Sequence, residues 1–307
     1  MRQLLSVLAI VAMTSVYGCA SPVAVEAPAD LSPEVLRNLA YTGIDDEGTS
    51  LQMENGRWEG APAVPGAATF PVLTMAEAVT AKGDLDGDGA AEAVVLLESQ
   101  PGGSGTFAYL AVVNGRTGVA RNVATQLIGD RVQVRAIRVE DARIVVDLRG
   151  HGPEDPACCP SVSMRRVWKM QGTVLEEVPS GLAAKRVSVA ELSGSEWELA
   201  RWSADEPAPA APRVTLSYGD GRLAGNAGCN RYSAPVADAG AAGQITSGPG
   251  IATRMACEEP SMAVESRFLR LLPQLQAHRF SQGMLLLAYR REDGSGAELW
   301  FRPIATH

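Results

Sequence analysis

Short apolar runs separated by turn residues dominate the first two thirds of the chain. Runs of strand length that end at pairs such as Asn-Gly or Gln-Gly are typical of β-hairpins. A helical pattern is limited to a short helix that begins at Pro33, with Ser32 as its cap. The region is therefore predicted to be a mostly antiparallel β domain. The predicted strands cover residues 51–53, 93–97, 107–113, 119–124, 132–139, 144–148, 167–170 and 174–178.

The last third of the chain combines strand patterns with one convincing helical pattern. The helix begins near Pro260, its apolar residues fall at helical spacing as far as Leu275, and Pro273 should kink its end. The predicted strands cover residues 197–202, 214–218, 223–226, 284–291 and 297–302. This pattern predicts a small antiparallel sheet or barrel packed with one helix. The fold class expected for the whole chain is mostly β, a β-rich α+β protein.

A stretch without strong strand or turn patterns, residues 181–194, separates these two regions and is predicted to be a linker. The first domain is then expected at 35–180 and the second at 195–305. A chain of 307 residues is long enough for two domains, each with its own core.

The amino-terminal residues predict export. Residues 1–18 have the apolar run of a signal peptide, which is too short to span a bilayer. Because Cys19 follows that run directly, we expect it to be acylated, with residues 19–34 as a tether; ordinary cleavage that leaves Cys19 as a thiol is the alternative. Ala20 is compatible with sorting to the outer membrane, facing the periplasm, in organisms that sort lipoproteins by this residue.

Charge and cysteine content narrow the function classes. A formal net charge of -8 argues against a nucleic-acid partner. Five cysteines are an odd number for an exported protein, and acylation of Cys19 would leave four. In an oxidising compartment those four are expected to pair.

Two cysteine-containing segments, residues 225–233 and 253–257, resemble the paired signature segments of the META domain found in bacterial heat-shock-type envelope lipoproteins. Trp197 and residues 299–301 extend the resemblance to 195–305. The resemblance implies a location in the cell envelope and a small β fold with one helix, but it implies no catalysed reaction. We predict a disulfide between Cys229 and Cys257 that joins the two segments, and, with less support, a pairing of the adjacent residues Cys158 and Cys159. Within the segments, Arg231 and Arg254 either bind an anionic ligand or tie down nearby carbonyls and carboxylates.

Alternate acidic residues in residues 84–92 predict a cation site. The oxygen ligands would come from Asp84, Asp86 and Asp88, the backbone of Ala90 and the side chain of Glu92. This spacing is locally similar to the calcium loops of FG-GAP repeats, so a structural Ca²⁺ ion is expected; a solvated acidic turn is the alternative.

The sequence predicts a non-catalytic envelope lipoprotein with a binding or maintenance role in the envelope or in stress. Its partners would be the membrane, through the lipid anchor, and an unidentified envelope protein or small ligand. An alternative is a periplasmic inhibitor of an enzyme such as a protease or lysozyme, which an exposed loop with an anchor residue would favour. An enzyme would need a partner for Asp84, Asp86 or His151, and the sequence supplies none.

Overall fold

A computed structural model describes residues 29–45, 48–62, 66, 68–116 and 118–304. The predicted signal peptide, Cys19 and most of the tether lie outside these ranges. Neither α-helix within them has the length and apolar character needed to cross a membrane.

The described residues form mainly β-strands. The helices are α1 (Pro33–Arg37) and α2 (Ser261–Leu271), with 3₁₀ turns at Val189–Leu192 and Leu272–Gln274. The strands are β1 (Ala40–Tyr41), β2 (Leu51–Gln52), β3 (Arg57–Glu59), β4 (Val72–Gly83), β5 (Glu92–Gln100), β6 (Phe107–Asn114), β7 (Arg121–Asp130), β8 (Gln133–Glu140), β9 (Arg143–Gly150), β10 (Val162–Gln171), β11 (Val174–Val178), β12 (Lys185–Arg186), β13 (Glu196–Ser203), β14 (Glu206–Pro207), β15 (Thr215–Gly219), β16 (Arg222–Asn226), β17 (Arg231–Asp238), β18 (Ile245–Ser247), β19 (Ile251–Ala252), β20 (Leu275–Ser281), β21 (Met284–Arg290) and β22 (Gly296–Pro303).

The first domain contains two five-stranded antiparallel sheets. One has the order β3-β4-β5-β6-β7, and the other has the order β11-β10-β9-β8 with β12 beside β10. Apolar residues of both sheets form one core. The opposite face of the first sheet is covered by α1 and the β1–β2 pair. Strand β5 is thus buried on both faces, which explains why its apolar residues run without alternation.

Strand β4 is the main element of this domain that the sequence pattern did not predict. Its twelve residues mix alanine, glutamate and lysine with apolar residues. The pairing with β5 shifts register between Ala76 and Ala81, so the strand contains a bulge. A bulge interrupts the two-residue alternation on which strand prediction depends.

The second domain is a nearly closed antiparallel barrel packed with one helix, as predicted. Its main strand order is β18-β17-β16-β15-β13-β22-β21-β20. The two ends approach each other where the amide of His278 donates to the carbonyl of Gly243 at 2.8 Å. Helix α2 packs on this sheet through Phe268. The centroid of the Phe268 ring lies 5.1 Å from that of Tyr232 and 6.4 Å from that of Phe301.

The end of α2 corrects one detail of the helix prediction. The α-helix ends at Leu271, and Pro273 lies in the 3₁₀ turn that follows, as expected for a residue without a backbone N–H. Leu275, which the spacing assigned to the helix, is instead the first residue of β20.

The interval predicted as a linker, residues 181–194, contains regular structure. Strand β12 pairs with β10 of the first domain. Val189 and Leu192 of the 3₁₀ turn are buried in the core of the second domain. The second half of this interval is therefore part of the barrel's core, six residues earlier than the predicted start of the domain.

Candidate functional site

The two signature segments of the second domain are joined by a disulfide between Cys229 and Cys257, which confirms the predicted pairing. The two Cα atoms lie 6.0 Å apart. The bond links the turn before β17 to the segment between β19 and α2. It therefore holds residues 253–257 against the barrel.

Asn230 is the polar centre of these segments, a role that the sequence pattern does not predict. It is 1% exposed, and its amide Nδ2 donates to Glu265 Oε1 of α2 at 3.0 Å and to the carbonyl of Met255 at 3.1 Å. Its Oδ1 accepts from Thr253 Oγ1 at 2.7 Å and from the amide of Met255 at 2.8 Å. One buried side chain thus fixes both neighbours of Arg254.

Arg231 and Arg254 have exposed side chains. Neither guanidinium has a hydrogen-bond or ion-pair partner among the described residues. A structural role would require carbonyl or carboxylate partners, so the observed exposure leaves both side chains available to a ligand.

The acidic loop brings three of its predicted ligands together. Carboxylate oxygens of Asp84, Asp86 and Asp88 lie within 4.8 Å of one another, and the described residues contain no other such group of three. Asp84 accepts from the amides of Gly87 at 2.7 Å and Gly89 at 2.9 Å, which shapes the loop. The amide of Ala90 donates to Asp88 Oδ1 at 2.7 Å. Three converging carboxylates fit a hard cation such as Ca²⁺.

Glu92 does not join this group, in contrast to its predicted role as a ligand. It is buried, its Oε2 accepts from the amide of Leu85 at 2.9 Å, and its Oε1 accepts from Asn114 Nδ2 at 3.2 Å. Burial, together with the charges of the three aspartates, raises the pKa of Glu92 above its usual value. Glu92 therefore braces the base of the loop, while Arg116 supplies a positive charge 3.0 Å from Asp88 Oδ2.

The adjacent residues Cys158 and Cys159 form a disulfide with each other. Both are exposed in the loop between β9 and β10, which also contains His151. Asp155 organises this loop, since its carboxylate accepts from the amides of Gly152 and Ser161 at 2.7 Å each.

A buried charged network joins the two domains. Arg149 of β9 is 3% exposed, and its guanidinium donates to Glu191 Oε1 from Nε at 2.8 Å. His278 Nε2 of β20 lies 2.9 Å from the same oxygen. Burial raises the pKa of Glu191, but the hydrogen bond from His278 and the charge of Arg149 outweigh it, so the pKa lies below the usual value. The sequence patterns predict no role for Arg149, Glu191 or His278.

Asp147, next to this network, accepts from three arginines, Arg135, Arg138 and Arg165. Burial raises its pKa, but the hydrogen bond from Arg165 and the charges of Arg138 and Arg135 lower it to about 2. Arg135 also donates to the backbone carbonyl of Glu191, which connects the two clusters.

A groove of about 600 Å³ lies between the domains. Among the described residues that line it are Met75 of the first domain, Met284 of the second and three arginines, Arg57, Arg201 and Arg302, but no carboxylate. Arg57 and Arg302 each pair with one glutamate outside the lining, at 2.8 and 2.9 Å. A domain boundary is a frequent place for ligand sites, and this groove combines an apolar floor with positive charge.

The tip of the β20–β21 hairpin, which belongs to the second domain, contacts the first domain at this groove. Gln282 has a positive φ of 51° and hydrogen-bonds to Glu98 of β5. The next residue, Gly283, has a φ of 74°, and a Cβ atom there would lie 2.2 Å from Val79 Cγ1 in the bulge of β4. Glycine is therefore required where the hairpin contacts the first domain.

Comparison with known families finds a match to the META domain over residues 190–301. Comparisons with curated proteins and with solved structures found no significant match. The match includes the 3₁₀ turn at Val189–Leu192 except for its first residue, in agreement with the burial of Leu192. A META domain supports a family-level role related to the cell envelope or to stress. Residues 190–301, in the carboxyl-terminal part of the chain, thus match the META domain family.

Proposed function

We propose that this protein is a non-catalytic lipoprotein of the cell envelope that binds an anionic ligand in the groove between its two domains. The single observation that carries this proposal is the set of three arginines around the methionine floor of the groove. The buried network of Arg149, Glu191 and His278 supports it, because it joins the two domains whose surfaces form the groove.

The ligand chemistry follows from the free donors of the groove. A guanidinium has five N–H donors. Arg201 donates from Nη1 to the carbonyl of Ala204 at 2.8 Å, and its other N–H donors have no partner in the part of the chain that the structure describes. Guanidinium groups favour carboxylate and phosphate, and methionine side chains adapt to varied apolar shapes. We therefore propose a ligand with one or more such groups and an apolar portion.

The groove is tested by titration of the full chain with decyl phosphate, with decyltrimethylammonium as the cationic comparison. The phosphate should bind and the cation should not. The double variant Arg57→Ser/Arg201→Ser removes one exposed guanidinium from each wall. Its dissociation constant should rise about tenfold or more per guanidinium, since a hydrogen bond to a charged group contributes about 1.5 kcal/mol or more.

Arg143→Ser is the matched control, because it removes an exposed guanidinium that does not line the groove. Calorimetry should give it the affinity of the unmodified protein. Equal affinity of the groove variant, or equal binding of the cation, would exclude the groove as an anion site.

The anchor is proposed at Cys19. The variant Cys19→Ala should move the protein from the membrane to the soluble fraction, because it lacks the thiol to which the lipid would be attached. Fractionation and mass spectrometry of the amino terminus measure this. A membrane-bound variant, or an unmodified amino terminus in the wild type, would contradict the proposal.

We also propose that Asp84, Asp86 and Asp88 hold a structural Ca²⁺ ion. For a dissociation constant of about 1 mM, 10 mM calcium should stabilise the folded state by about 1.4 kcal/mol. Asp86→Ala together with Asp88→Ala should abolish this stabilisation, as followed by thermal unfolding.

Arg116→Ala provides the opposite change for the same loop. It removes the positive charge beside Asp88 and should therefore tighten calcium binding. A wild type whose unfolding temperature is the same with and without 10 mM calcium would show that the loop is a solvated acidic turn.

A further inference from the structure

A second surface of the META domain has a different chemistry from the groove. Residues 253–256, between β19 and α2, are all exposed, and Arg254 lies among them without a partner in the described chain. Met255 is 58% exposed, and Ile251 at the start of β19 is 70% exposed. The segment thus presents a free cation between apolar side chains.

The buried side chain of Asn230 holds this segment at both neighbours of Arg254. Asn230 accepts from Thr253 Oγ1 on one side, and on the other it contacts both the amide and the carbonyl of Met255. The amide of Thr253 donates to the carbonyl of Arg231 at 3.1 Å, which continues the pairing of β19 with β17. The disulfide of Cys257 fixes the segment two residues after Met255. The backbone is therefore fixed while the arginine side chain points to solvent.

We infer that residues 253–256 form an inhibitory loop for a serine protease whose specificity pocket carries a carboxylate. Such a protease binds an extended segment, takes one side chain into the pocket and attacks the carbonyl that follows it. Arg254 has the charge for an acidic pocket, and its bond to Met255 is the bond presented to the catalytic serine. A fixed loop loses little conformational entropy on binding, which favours a tight complex.

The same contacts make this loop an inhibitor instead of a substrate. Attack of the serine Oγ on the carbonyl carbon of Arg254 forms an ester and breaks the bond to the nitrogen of Met255, which takes a proton from the catalytic histidine. Asn230 and the disulfide hold the new amine of Met255, while Asn230 and β17 hold Thr253. The amine therefore stays beside the ester, re-forms the peptide bond and returns the proton and the serine.

The experiment measures inhibition of trypsin, which has an aspartate in its specificity pocket, by the full chain with a small arginine amide as substrate. We expect competitive inhibition. Arg254→Glu should raise the inhibition constant by about 30-fold or more, as expected for a central interface residue. Arg254→Lys should retain inhibition. Arg254→Phe should lose inhibition of trypsin and gain inhibition of chymotrypsin, whose pocket is hydrophobic.

Three further variants test the loop's rigidity and its independence from the groove. Thr253→Val removes the hydroxyl that donates to Asn230 and should convert the chain into a substrate that trypsin cleaves after Arg254. Arg231→Ala and the groove variant Arg57→Ser/Arg201→Ser should inhibit like the wild type, so failure of the groove and failure of the loop are distinguishable. No inhibition by the wild type, equal inhibition by Arg254→Glu, or no gain against chymotrypsin by Arg254→Phe would overturn the inference.

Discussion

Replacement of Glu191 by glutamine should lower the free energy of unfolding by about 3–5 kcal/mol, the usual cost of removing one partner of a buried ion pair. The substitution retains size but leaves the guanidinium of Arg149, which is 3% exposed, without its counter-charge. Burial lowers the pKa of Arg149, yet an arginine stays protonated at neutral pH, so the charge remains in the domain boundary. Urea unfolding followed by tryptophan fluorescence measures the loss.

Glu177→Gln is the matched control. Glu177 forms the same kind of pair with Arg166, but both side chains are partly exposed. Exposed pairs contribute about 0–1 kcal/mol, so this variant should unfold close to the wild type. Equal effects of the two substitutions would show that the boundary network does not have the stabilising role proposed for it.

The pH dependence of stability should also differ between wild type and Glu191→Gln. Asp147 and Glu191 both have a folded pKa below the unfolded value, 3.8 falling to about 2 for Asp147. Their contribution is complete above the unfolded pKa and is lost as pH falls through the folded pKa. Wild-type stability should therefore decrease on acidification below about pH 4, and the variant should show a smaller decrease.

The hydrophobic pattern was sufficient to predict most of the β-hairpins, because each hairpin consists of two short apolar runs separated by local turn residues. Strand β6 and the turn after it, for example, are predicted by an apolar run that is followed directly by Asn114. The bulged strand β4 lacks this regularity, and β20 begins at Leu275 directly after a helical pattern. In both places tertiary pairing decides the structure, and local sequence does not reveal it.

The candidate sites divide in the same way. The acidic loop could be predicted because its ligands are close in sequence. The pair of Arg149 and Glu191 joins residues 42 positions apart, and His278 lies a further 87 positions away from Glu191. The sequence shows Asn230 only as part of a signature segment. Its role depends on hydrogen bonds to Glu265 and Met255, which are distant in sequence and lie beside it only in the folded chain.

Removal of the disulfide between Cys229 and Cys257 should cost about 3–4 kcal/mol. Its cysteines are 28 positions apart, and the chain-entropy estimate for a loop of this length gives that value. The double variant Cys229→Ala/Cys257→Ala leaves no unpaired thiol. Its thermal unfolding should occur at lower temperature than that of the wild type. Residues 253–256 are then held only by Asn230 and by the backbone bond from Thr253 to β17, so trypsin should also cleave after Arg254 more readily.

Cys158→Ala/Cys159→Ala is the internal control, because that disulfide joins adjacent residues and closes no loop of chain. Both residues are exposed, so the unfolding free energy should change by no more than about 0.5 kcal/mol. An equal loss in the two double variants would contradict the loop-closure argument. Non-reducing peptide mapping gives an independent check, since a Cys229 peptide linked to Cys158 or Cys159 would exclude the pairing and with it the disulfide's role in holding the Arg254 loop.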